Sequence, residues 1–253
     1  MPTLIKMQWT LLWRTQRLLI LLGLGAFLGL LSAITARYMP EILAFVLASE
    51  GLDQIPLPEA TALEAYAQLI GNLSQLFMMG LLFIFASYVH YERRSQFAET
   101  YYTLPFTKTD HVFAKTLVMF LVIGASLYFS ALWFGSYTQL LFGEMAWGRL
   151  LIAMLPMWAL AYLFYAVTLL FYTFTKRFSM TLILTFVFYF VLLTLMMFEG
   201  ESFAFFPQAL FQAPMALLIE QRSIQSVLGL SFLYLVISDS LVLISLKFYT
   251  LGP

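Results

Sequence analysis

"HYERRSQFAETYYTLPFTKTDHVFAK", His90–Lys115, is a charged and aromatic stretch between two long apolar runs, in a chain with only 10% charged residues. The flanking runs, about 69–90 and 114–141, each exceed the roughly 18–20 residues that an α-helix needs to cross about 30 Å of hydrocarbon. A chain that reads this way is a helical membrane protein, and the charged stretch turns one span back into the next. Working outward, further runs at about 18–36, 150–174, 178–198 and 226–247 bring the expectation to six transmembrane helices in a single transmembrane domain, 1–253. The alternating ten-residue strands of a membrane barrel are not seen. The composition agrees: 62% of the 253 residues are hydrophobic, against about 45–50% apolar in a soluble domain. The fold class expected is all-α and polytopic.

Net charge is zero, with 13 Lys and Arg against 13 Asp and Glu, so no bulk charge points to nucleic acid. The placement of the charges says more. Lys6, Arg14, Arg17, Arg93, Arg94, Lys108, Lys115, Lys176, Arg177 and Lys247 fall on one side of a six-span topology, and only Arg37, Arg149 and Arg222 on the other. Positive charge stays in the cytoplasm, which predicts a multi-pass protein of the cell membrane with both termini cytoplasmic. With no cysteine there is no disulfide framework, thiolate metal site or Cys nucleophile, and two histidines offer little to a zinc site. The first run is longer than the 7–15 residues of a secretory signal core and reads as a retained span.

Before that span, residues 1–17 form an amphipathic pattern with Ile5, Trp9, Leu12 and Trp13 on one helical side and Lys6, Arg14, Gln16 and Arg17 around the other. The segment fits a helix in the lipid headgroup layer; the alternative is a simple extension of the first span. The outer segment 37–68 carries two helical patterns around Pro56 and Pro58. The second outer segment, 199–225, is aromatic and interrupted by Pro207 and Pro214. It reads either as short helices that re-enter the membrane or as a lid lying on its surface.

Continuing the second span as a helix over about 91–104 places Arg93, Phe97, Tyr101 and Leu104 on one side and Glu92, Gln96, Glu99 and Thr103 on another. Pro105 ends this short rod, and Thr107 with Asp110 forms an N-cap pattern at the head of the third span. Such a knob of aromatic and charged residues is either a solvated loop or a surface that fills a pocket on a partner, where Tyr and Arg commonly carry the contact.

The stretch resembles the signature of the permeases of second-class ATP-binding-cassette exporters, including exporters of antimicrobial and cytolytic peptides. The matching elements are Glu92, Arg93 and Arg94 after span two, Glu99, the Leu104–Pro105 pair, Thr107 and Lys108, and Lys115 at the head of span three. The amphipathic N-terminus, the six spans and the outer segments agree with the same family. The resemblance implies a cytoplasmic coupling helix seated in a cleft of an ATPase subunit, with Glu92, Arg93, Arg94, Phe97, Glu99, Tyr101, Tyr102 and Pro105 at the contact. It also implies two copies of that ATPase, which bind the ATP and Mg, and a second permease half, either a copy of this chain or a close paralogue. The sequence has no GxxxxGK[ST] phosphate loop, so hydrolysis is expected on a separate subunit.

In that family spans two and five line the centre of the dimer. Here they offer Asn72, Gln75, Met79 and Phe83, and Phe186, Phe190 and Met197. Met and Phe surfaces repack around varied apolar partners, which suits an amphipathic peptide as cargo; the same stripes also serve ordinary helix packing. Lipids and drugs are alternative cargoes. An intramembrane enzyme needs a nucleophile beside a base, paired acids or a metal cluster, and no such motif is present. His90 and His111 lie near the cytoplasmic interface, where a lone histidine serves as a hydrogen-bonder. Asp239 is the one acid inside a span, and a carboxylate there faces protein or water. It reads either as a hydrogen-bonded packing residue or as a proton or substrate contact, the latter belonging to a proton-coupled carrier.

Overall fold

The computed structural model of the chain describes residues 2–49, 60–94, 107–143, 145–195, 206–219 and 223–249, with the backbone alone at 92–94. All regular structure among these residues is helical, and six helices are long and apolar enough to cross a membrane. The N-terminal helix α1 (Pro2–Arg14) precedes span one, α2 (Arg17–Ser49). Span two is composite: α3 (Ala62–Asn72), a π-helical turn (Leu73–Phe77) and α4 (Met78–Arg94). Then follow α5 (Lys108–Phe142), α6 (Trp147–Thr175), α7 (Phe178–Leu195), the short α8 (Ala209–Leu218) and α9 (Ile224–Phe248).

Several helices outrun the apolar runs that mark them. α2 has 33 residues, about 50 Å at 1.5 Å per residue, and runs on as helix beyond residue 36, past Pro40 to Ser49. Its far end packs on α3, so the helical patterns expected between the first two spans extend those spans at both sides. Thr61 caps α3 by accepting from the Glu64 amide. The cap expected at the head of span three is present in full: Thr107 Oγ1 accepts from the Asp110 amide at 3.2 Å, and the Thr107 amide donates to the Asp110 carboxylate at 3.1 Å. At the far end of α5 the chain reverses through Gly143 at φ 79°, a left-handed conformation that glycine adopts without strain.

α6 is the core helix. It packs against α4, α5, α7, α8 and α9, and every residue from Ala159 to Leu169 is buried, as its all-round apolarity requires. Two tryptophans fix its register against α5. A Cβ added to Gly124 would lie 2.7 Å from the Trp158 ring, and one added to Gly135 would lie 2.6 Å from the Trp147 ring. Each indole therefore occupies the space that a glycine leaves on the antiparallel neighbour. Trp158 Nε1 donates to the Phe120 carbonyl at 3.0 Å, and Trp147 Nε1 to Gln139 Oε1 at 3.1 Å, so the polar edges are also held.

α2 and α5 approach more closely still. A Cβ at Gly25 would stand 2.9 Å from the Ser126 carbonyl oxygen, and one at Gly29 only 2.5 Å from that of Ser130. Lipid tails are as apolar as leucine, so helices in a bilayer gain little from apolar contact alone and associate by packing closely over small residues. Gly25, Gly29 and Ala33 form such a stripe, four residues apart.

α8 answers the choice between lid and re-entrant helix. Its residues Leu210, Phe211 and Leu217 are buried, and it packs between α6, α9 and α3. The Phe211 ring meets Phe164 and Tyr189 at centroid distances of 6.4 and 6.3 Å. Phe164 lies about 25 Å along α6 from Trp147 at 1.5 Å per residue, so the short helix dips into the bundle and does not lie across its end.

Candidate functional site

The ends of α4 and α6 and the starts of α2, α5 and α7 meet at one end of the bundle, called here the basic end. The side chains that converge there meet the last turns of α4, or a residue that does, and from α4 the chain continues into the 92–105 segment. Arg17, at the first residue of α2, was expected to face headgroups with the cations of α1; it is buried instead. Its Nη2 donates to Ser87 Oγ at 2.8 Å and to the Ser87 carbonyl at 3.3 Å. The guanidinium lies 4.9 Å from the centroid of the Tyr91 ring. A planar, weakly hydrated cation gives up water more cheaply than an ammonium and stacks on aromatic faces, which explains why Arg fills this position.

Two further groups reach Tyr88 from other helices. Its hydroxyl donates to Gln8 Oε1 on α1 at 2.7 Å. Lys115 of α5, fully buried, places its ammonium 4.9 Å from the Tyr88 ring centroid and 3.4 Å from the Val89 carbonyl. On the other side of α4, His90 Nε2 hydrogen-bonds Thr181 Oγ1 of α7 at 3.0 Å, and Thr181 in turn meets Thr175 Oγ1 of α6 at 2.7 Å. The His90 ring also stands edge-on to Tyr172, 4.6 Å between centroids. Tyr172 packs on Tyr249, just after α9, and Tyr249 on His111 of α5. Five helices, and Tyr249 at the end of α9, are thus joined by side chains to the final turns of α4 or to their neighbours.

α1 takes its place in this hub in a way that its sequence pattern does not suggest. The side expected to be apolar carries Trp9 and Trp13, which are 44% and 55% exposed. Leu4, Gln8 and Leu12 form the buried stripe, packed towards α5. The tryptophans are left outward, where an amphipathic ring suits a membrane interface, while Gln8 turns inward because Tyr88 offers it a hydrogen bond.

Of the residues expected at the coupling contact, Glu92, Arg93 and Arg94 form the last turn of α4, directly beyond the hub. Phe97, Glu99, Tyr101, Tyr102 and Pro105 lie outside the described residues, as does most of the expected rod 91–104. Of the pathway residues, Gln75 sits in the π-helical turn and is exposed, Met79 is half-buried one turn on, and Phe83 is 54% exposed. Asn72 is turned towards α2, donating to Ser32 Oγ at 2.9 Å. On α7, Phe186 and Phe190 stack at 6.3 Å. α7 packs beside α4, with Phe178 edge-on to Phe83. Met197 lies outside the described residues. The π-helical turn gives span two a wide turn, and Tyr189 of α7 donates to the Ser74 carbonyl within it at 2.9 Å.

Asp239 lies well inside α9 and on its exposed side. Tyr162 of α6 donates to its Oδ1 at 2.6 Å. Among the described residues no group of three or more His, Cys, Asp or Glu comes together as a metal site would require.

Six spans, a re-entrant helix and a buried polar hub beside a charged inter-span segment define a multi-pass membrane protein. The model of the ABC-2 family transporter protein matches residues 61–250, three quarters of the chain, from α3 to the end of α9. The chain belongs to that family. It is an ABC permease, a transport subunit that pairs with an ABC ATPase. Among curated proteins none matches it.

Proposed function

We propose that the chain is the membrane half of an ATP-driven exporter of amphipathic peptides, with both termini in the cytoplasm and ATP and Mg bound on the partner ATPase. The 92–105 segment is the coupling element, and the hub at its root distributes the ATPase's motion to the spans. One observation carries the reading: Arg17, Lys115 and Gln8 reach the last turns of α4 from α2, α5 and α1, and His90 of α4 itself bonds Thr181 of α7, so the helix that leads into that segment is tied to four neighbours. A push on α4 at this end moves its neighbours with it, because polar bonds and cation–aromatic contacts there have no water to replace them. The net basic charge at this end supports its cytoplasmic placement.

The cargo reading rests on Met79, Phe83, Phe186 and Phe190 on the adjoining α4 and α7. The outward sides of α7, including Ile183, Val187 and Val191, are where a second permease half, a copy or a close paralogue, would complete the pathway. Membership of the family sets aside the proton-coupled carrier.

Two measurements test this reading. Tagged chain isolated from its own cells in mild detergent brings down a P-loop ATPase in stoichiometric amount, and Glu99→Arg with Tyr101→Ala reduces that recovery while insertion is unchanged. Full recovery in the double variant would remove the contact from this segment. Inside-out vesicles holding the complex accumulate amphipathic cationic peptides with ATP and not without it; uptake of lipid or a small drug in their place would change the cargo.

A further inference from the structure

A membrane-facing groove runs between α6 and α9, about 170 Å³ in volume, and its lining is almost wholly apolar. Leu155, Trp158 and Ala159 form one wall; Ser231, Phe232 and Leu235 form the other. Both walls have helical spacing, and both continue one turn further towards the basic end. From Leu155, Trp158 and Ala159 the next residue in the stripe is Tyr162; from Phe232 and Leu235 it is Asp239. These two residues join at 2.6 Å across the helix pair. The Tyr162–Asp239 pair therefore stands one helical turn beyond the groove's lining, at its inward end.

The closure has an unusual chemistry. Tyr162 satisfies one oxygen of Asp239, and the residue stays exposed on the outer side of the chain. Acidic groups within spans are expensive and normally face a bundle interior or water. Here the carboxylate stands at the end of an apolar slot whose hydroxyl, Ser231 Oγ, is already bonded to the Val227 carbonyl. An occupant that complements both parts has an apolar chain for the groove and a compact positive head that donates hydrogen bonds to the carboxylate.

We propose that the α6–α9 groove is a binding site for a membrane-dissolved amphipathic amine, its alkyl chain lying along Trp158 and Phe232 and its ammonium on Asp239. Tyr162 is a positioning residue: its hydroxyl holds Oδ1 and aims the carboxylate up the groove. The site lies on one chain and needs neither ATP nor the partner ATPase, so it stands or falls separately from the peptide-export reading.

The test uses the full chain in nanodiscs of zwitterionic phosphatidylcholine and two photoreactive probes, a diazirine-bearing dodecylamine and the matching dodecanol. Labelled peptides are mapped by mass spectrometry. The amine labels residues 155–159 and 228–235 at low concentration, and unlabelled dodecylamine competes. Asp239→Asn, which keeps the bond to Tyr162, weakens amine labelling by about tenfold or more, as loss of a desolvated charge pair does. The dodecanol labels wild type and Asp239→Asn alike, which shows the groove intact in the variant. Tyr162→Phe gives an intermediate loss. Equal amine labelling of wild type and Asp239→Asn would overturn the proposal, as would labelling spread evenly over the lipid-facing helices. So would absence of labelling together with a disulfide between two copies bearing Asp239→Cys, which would give the carboxylate to a subunit interface.

Discussion

The bundle is fastened differently at its basic end and in its middle. At the basic end, Arg17, Lys115, Gln8 and His90 reach from α2, α5, α1 and α4 itself into a shared set of polar and aromatic contacts. In the middle, fit of shape holds the helices: glycines of α2 against the α5 backbone, and indoles of α6 over glycines of α5. Contacts of shape are indifferent to direction but intolerant of added volume. Polar contacts tolerate small changes of volume but are lost once a partner moves away. The difference places a stiff seam in the middle of the bundle and a wired joint at the basic end, where the proposed coupling segment begins. Asp239 differs from both, an acidic group inside a span that is bonded to Tyr162 and exposed on its outer side.

The comparison breaks most visibly at Gly29. A Leu there has its Cβ 2.5 Å from a backbone oxygen, which no rotamer change relieves, and overpacking of this kind costs typically about 1–3 kcal/mol, occasionally more. Gly29→Leu is expected to lower the thermal midpoint of the purified chain further than any single hub substitution. Gly23→Ala, at a position with nothing within 4 Å, leaves it unchanged. Equal effects of the two would remove the seam. Next comes Arg17→Ala, which deletes a charged hydrogen bond worth about 1.5–3 kcal/mol and the stacking on Tyr91; Arg17→Lys restores part of the loss, read in the same thermal assay.

Smaller is Tyr88→Phe. It removes the bond to Gln8, about 1 kcal/mol, and its signature is local: faster hydrogen exchange in α1 with α5 and α6 unchanged. Exchange that rises throughout would mean that the bond is not specific to the attachment of α1. Smallest is Asp239→Asn, which retains an acceptor for Tyr162 and is expected to stay within about 0.5 kcal/mol of wild type. A larger loss in thermal stability would make the pair a structural clamp.

Much of this architecture was legible in the chain. Apolar run length alone identifies six spans because hydrocarbon thickness fixes the minimum, and Thr107 with Asp110 announces the start of α5 correctly. The GAFLG stretch, Gly25 to Gly29, carried a packing signal that composition and span counting passed over. The hub was less accessible. Nothing local in Arg17 or Lys115 distinguishes a cation drawn inward by Ser87 and the Val89 carbonyl from one facing phosphate headgroups; the partners lie 70 and 26 residues away along the chain. For the same reason Gln8 of α1 does not read as a buried residue, although Tyr88 draws it inward. Tyr162 as the partner of Asp239 was likewise hidden, since it belongs to another helix.

The most direct test of the central claim, that the hub transmits ATPase motion to the spans, compares transport with hydrolysis in the reconstituted complex. Arg17→Lys and Ser87→Ala are mild changes that keep α2 and α4 inserted. In proteoliposomes the account predicts that both variants assemble with the ATPase and hydrolyse ATP near the wild-type rate, yet export fewer amphipathic peptides per ATP. A wild-type ratio of transport to hydrolysis in both variants would contradict it.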